Sequence, residues 1–166
     1  MGKYSYLKKY IDNSAPPPRN RFRLITQEEI DIAEKRLGFK FPDSLKEFWL
    51  EAGEGTLYVT QKGDVAFNFN NIIYSPKEIA DIILLKEDSL LILPDVVEYF
   101  DEGYINISKG EIIFFEIGDS SSFLVMKPNS NKPDAVYDMI GNIVEESLER
   151  FIWRLYYESA TFYLKY

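Results

Sequence analysis

Carboxylates are the groups in this sequence whose type and spacing could do chemistry. Asp95, Glu98, Asp101 and Glu102 place four of them within eight residues, and Asp95, Glu98 and Glu102 would share one face of a helix. Such a run could hold calcium through oxygen ligands, hydrolyse a glycosidic bond with a carboxylate pair, or dock a basic protein. It lacks the alternating oxygen ligands and the fixed glycine of an EF-hand loop, and no aromatic sugar platform can be placed beside it. It therefore reads as a solvated acidic edge or, alternatively, as a docking surface. Ser120, in Gly118-Asp119-Ser120, is the other candidate, as a nucleophile. An activated serine most often needs a histidine base, and this chain has none, so the triplet reads as a hairpin turn in which glycine accepts positive φ.

The absence of both cysteine and histidine removes whole classes of function. There is no disulfide framework, no thiol, no zinc site of the usual kind and no histidine-assisted nucleophile. What remains for an enzyme is carboxylate chemistry, oxygen-ligated magnesium or calcium, or a lysine or tyrosine base, and no pattern supports any of them. The reading is a non-enzyme without metal or cofactor that works by binding. The twelve tyrosines suit both a core and a partner surface.

Charge is distributed unevenly. The net charge is -8, yet residues 1–23 hold six basic side chains against Asp12 alone, so the rest of the chain carries -13. An acidic body repels phosphate, because nucleic-acid affinity comes largely from Lys and Arg displacing counterions. A basic protein is the more natural partner. Glu54 and Asp64, at turn tips, and Asp95, Glu98, Asp101 and Glu102, along the polar run, are the residues expected to face it. No apolar run approaches the roughly 20 residues that span a bilayer, and the amino terminus lacks a signal-peptide core and a fitting myristoylation site. A cytoplasmic monomer or weak dimer, without membrane or nucleic acid, is expected.

Several elements must position these groups. Tyr4, Leu7 and Ile11 recur at helical spacing, and the following Pro16-Pro17-Pro18 reads as an extended tether rather than an SH3 ligand. Residues 1–23 thus form a basic helix and tether before a single domain over 24–166. Thr26 with Glu29 predicts a capping box, and Gly38 predicts the stop of that helix. Pro42 opens a second helix with Leu45, Phe48, Trp49 and Ala52 inward, ending at Gly53. Strands are expected at 56–61 and 65–69 around Lys62-Gly63-Asp64. Ser75-Pro76-Lys77-Glu78 starts a third helix, and a short helical turn is expected over 94–100. Further strands follow at 104–108, 111–117, 122–126, 135–137 and 143–145, before a closing helix from Leu148. The class is α+β, with an antiparallel sheet of about five to six strands.

The stretch ITQEEIDIAEKRLGFKFPDSLKEFWLEAGEG, with Ile30, Glu34, Leu37, Gly38, Pro42, Leu45, Phe48 and Gly55 at the matching positions, resembles the signature of the SUKH superfamily (Smi1/Knr4-like). IIFFEIGDSSSFLVM resembles its central hairpin and FIWRLYYES its closing helix, so the resemblance spans residues 24–158. It implies an antiparallel sheet with helices packed against it. It also implies an immunity protein that binds and neutralises a cognate bacterial toxin, with a basic nuclease-type domain as partner. The alternative is a non-enzymatic regulatory or scaffold module related to cell-wall regulators.

Overall fold

The computed structural model of the chain describes residues 2–66, 71–85, 96–117 and 122–164. Among these, seven strands form one antiparallel sheet in simple chain order: β1 (Arg21–Arg23), β2 (Glu54–Thr56), β3 (Asn71–Ile73), β4 (Ile112–Ile117), β5 (Ser122–Met126), β6 (Val136–Tyr137) and β7 (Ile143–Glu145). The helices are α1 (Gln27–Leu37), α2 (Asp43–Glu51), α3 (Pro76–Ile83), α4 (Val96–Asp101) and α5 (Leu148–Tyr157). This is the expected α+β class with slightly more strands than expected. None of these helices is long and apolar enough to cross a membrane.

Local chemistry sets the helix ends. Both predicted capping boxes form, Thr26 with Glu29 and Ser75 with Glu78, so two backbone donors at each start are satisfied reciprocally. Gly38 closes α1 at φ 81°, where a side chain would be strained. The elbow between α1 and α2 is tied by a buried carboxylate: Glu34 accepts from the Phe41 amide at 2.7 Å and from Lys46 Nζ at 3.3 Å. Trp49, fully buried on α2, donates from Nε1 to the Tyr74 carbonyl at 2.9 Å and meets Phe41 edge-on at 4.9 Å.

Glycine decides how β2 joins the sheet. Gly55 pairs with Phe22 at φ 149°, and a Cβ there would collide with the Arg21 carbonyl; one on Gly53 would collide with that of Arg23. The close approach of β1 and β2 therefore needs both glycines.

Residues 2–23 are part of the same packing. Tyr4, Leu7 and Phe22 are core residues, residues Ser5–Tyr10 form a 3-10 helix rather than an α-helix, and Arg21–Arg23 is the first strand. Asp12 donates its amide to the Phe22 carbonyl at 2.8 Å, which covers part of the outer edge of β1.

Two regions expected to form strands differ. Over 104–108 the chain forms a 3-10 turn at Ile107–Lys109, because Asn106 donates its amide to the Glu111 carboxylate (2.9 Å) and Glu111 returns one to the Asn106 carbonyl (3.3 Å), so local bonds replace a ladder. Of the expected 56–61 and 65–69 hairpin, the described residues form a bridge between Val59 and Val65. The backbone at 58–59 is satisfied instead by buried Asn20, whose Oδ1 accepts from the Tyr58 and Val59 amides and whose Nδ2 donates to the Val59 carbonyl. Residues 67–69 lie outside the described ones.

One face of the sheet is core. Phe22, Gly55, Ile73, Phe115 and Leu124 lie in register across it, and Phe115 packs edge-on against Phe151 of α5 at 5.2 Å. The opposite face carries the row Arg21, Thr56, Ile72, Glu116 and Phe123, and is only partly covered.

Candidate protein-binding surface

The partly covered face gathers carboxylates from three elements. Glu54, on β2 between the two glycines, is held by Arg23 Nε at 3.2 Å, while Nη1 of the same guanidinium reaches Glu29 at 2.9 Å. Glu116 projects from β4 beside Ile72 and Phe123 and accepts from the Tyr74 hydroxyl at 2.9 Å. Glu78 is fixed in the first turn of α3 because its carboxylate bonds the Ser75 amide at 3.1 Å. One capping interaction thus serves both to start a helix and to aim a charge.

Glu54 and Glu116 each feel the charge of Glu78. Burial pushes the Glu54 carboxyl above its ordinary value, the Glu78 charge adds to the rise, and Arg23 opposes it. Burial also raises Glu116; the Tyr74 hydroxyl opposes that rise and Glu78 adds to it. The Tyr74 hydroxyl itself is pushed far up by burial and by the adjoining Glu116, so it stays a proton donor. Half-buried carboxylates held close to like charge are destabilised when alone, and a cation from outside would relieve them.

At the far side of this face α4 docks through Tyr99, whose ring meets Phe123 edge-on at 5.0 Å. Phe123 is the cross-strand partner of Glu116, so α4 and the turn after it carry Glu98, Asp101 and Glu102, all exposed, to the flank of the half-buried group. Asp95 lies outside the described residues, as do Gly118, Asp119 and Ser120.

The expected partner-facing residues are therefore only partly brought together. Glu54 and the α4 carboxylates border one sheet face. Asp64 does not share a hydrogen bond or ion pair with them among the described residues; its turn closes on Thr60, and the neighbouring Gln61 amide donates to the Tyr156 carbonyl of α5 at 2.7 Å. Sequence reasoning missed Glu78 and Glu116. Glu78 was hidden by its role in a capping box, whereas Glu116 could have been found as the one charged residue in the apolar run of β4.

Two other buried carboxylates are structural. Glu34 ties the α1–α2 elbow, and Glu145 on β7 is held by Arg154 at 3.0 Å and Arg150 at 3.5 Å. Among the described residues no group of three or more His, Cys, Asp or Glu is arranged to hold a metal ion.

Comparison with known proteins adds two findings. The SMI1 / KNR4 family (SUKH-1) matches residues 24–161. A protein of Bacillus subtilis (strain 168) described as Immunity protein YxxD is 31% identical over 134 residues, covering 81% of this chain and 78% of that protein.

Proposed function

Because this chain belongs to the SMI1/KNR4 family (SUKH-1), we propose that it is an immunity protein that binds and neutralises a cognate bacterial toxin by stoichiometric protein–protein contact. The observation that carries this reading is the likeness to an immunity protein through most of the chain. The partner we infer is a basic, nuclease-type toxin domain, met in the cytoplasm. Its lysines and arginines would approach the face bordered by Glu54, Glu78 and Glu116 and flanked by Glu98, Asp101 and Glu102, with Asp64 and Asp95 as outlying contacts.

The carboxylates on this face accelerate encounter with a basic surface and disfavour wrong partners. Neutralisation then needs only that the bound chain cover the toxin's active site or substrate path. No bond is made or broken, and no cofactor is required.

The test is co-expression of the chain with the toxin domain encoded beside it. A 1:1 complex by size exclusion and calorimetry, together with protection of growth, is the expected result. Recovery of the chain with nucleic acid or a small ligand alone, and no protection, overturns the reading.

A further inference from the structure

We propose that Arg19, Arg21 and Arg23 form a second contact rail, for an extended segment of the partner protein that carries carboxylates at alternating positions. This deepens the immunity reading and rests on it for the identity of the partner. Phe22 points into the core, so Arg21 and Arg23 both point outward from β1, and Arg19 lines the same open groove of ≈ 410 Å³ with Pro17, Tyr58 and Thr56. Alternate residues of a strand lie about 6.6 Å apart, and an extended partner segment repeats its side chains on one face with the same period.

The three guanidiniums are not equivalent. Arg23 is committed to Glu29 and Glu54. Arg19 bonds only neutral groups, donating from Nη1 to the Ala15 carbonyl at 2.6 Å and from its amide to the Tyr58 hydroxyl at 3.1 Å. The Arg21 side chain is exposed, and its guanidinium makes no hydrogen bond or ion pair among the described residues. Among the described residues two positive charges therefore stand without a carboxylate, and the guanidinium fork matches carboxylates bidentately. Arginine beside tyrosine is also the composition of interface hot spots.

A polyphosphate strand would meet the same arginines, but Glu54 on the adjoining strand and the excess of acidic groups beyond residue 23 repel it. The sheet face thus presents arginines at its β1 edge and carboxylates from β2 onward. A partner with the opposite pattern can dock in only one orientation, because the reversed pose sets like charges together.

The probes are short capped peptides: one with three glutamates at alternating positions, one with three contiguous glutamates, one with alternating lysines, and a hexathymidylate strand. Amide shifts are followed at low salt in the full chain and in an Arg19→Ala/Arg21→Ala variant whose folding is checked by circular dichroism. The alternating-glutamate peptide is expected to move the amides of residues 19–23 and Tyr58, to bind more tightly than its contiguous counterpart, and to weaken about tenfold or more in the variant. Equal binding to the variant, preference for the lysine peptide, or tighter binding of the oligonucleotide overturns the rail. A chain that binds the peptide yet forms no toxin complex retains the rail and loses the immunity reading.

Discussion

Single carboxylates in this protein do opposite things according to what surrounds them. Glu34 is buried with a backbone amide and a lysine in contact, and truncating it strands both partners. Removing one member of such a set costs about 2–4 kcal/mol, so Glu34→Ala should show that loss in urea unfolding. Glu116 is the reverse case. Its carboxyl is raised above 4.5 in the fold, so the folded state holds the proton more tightly than the unfolded chain does. Stability from this group is greatest below the unfolded value and falls as pH rises through the folded one. Glu116→Gln keeps an acceptor for the Tyr74 hydroxyl and removes the charge. The variant should gain on the wild type as pH rises through the raised folded value of this carboxyl and then hold a constant advantage, read as the difference in urea midpoint. A difference independent of pH would contradict this account of Glu116.

At the scale of elements, the amino-terminal 3-10 helix shows how much a short, irregular piece can matter. Tyr4 and Leu7 are buried, Tyr4 meets Phe48 edge-on at 4.9 Å, and the Tyr10 and Tyr156 hydroxyls bond at 2.8 Å. Burying two such side chains stabilises by about 3–6 kcal/mol, a large share of the roughly 5–15 kcal/mol that a domain has. Deleting residues 2–12 should therefore lower the urea midpoint strongly, and an unchanged midpoint would mean the segment is dispensable. A short helix around Leu7 was legible in the sequence, though it stops short of Ile11, as were the caps at Thr26 and Ser75, because these depend on neighbours within four residues. The missing strand at 104–108 and the bonding of the backbone at 58–59 were not. There the backbone bonds are taken by Glu111 and by Asn20, the latter some 38 positions from Tyr58.

At the scale of the whole molecule, the acidic face should act through long-range attraction more than through contact. Reversing Glu98, Asp101 and Glu102 together to lysine should slow association with the toxin by about tenfold or more at low salt, with little effect on melting. The difference should shrink as salt rises, since the screening length is about 8 Å at 0.15 M. Stopped-flow mixing across a salt series checks both points, and unchanged association at low salt would remove these residues from the interface.

Composition alone determined that histidine and cysteine chemistry is absent and that charge is split between a basic start and an acidic remainder. Local spacing determined the helix boundaries and the apolar sides of α1, α2, α3 and α5, because amphipathic period and capping are short-range. Only the tertiary structure decided that Glu54 and Glu116 both lie near the Glu78 charge, that Gln61 in the turn before Asp64 is bonded to α5, and that Arg23 of β1 holds Glu54. The reason is register: which side chains lie beside one another across a sheet depends on pairings between strands far apart in the chain, and a shift of one residue would send every one of them to the other face.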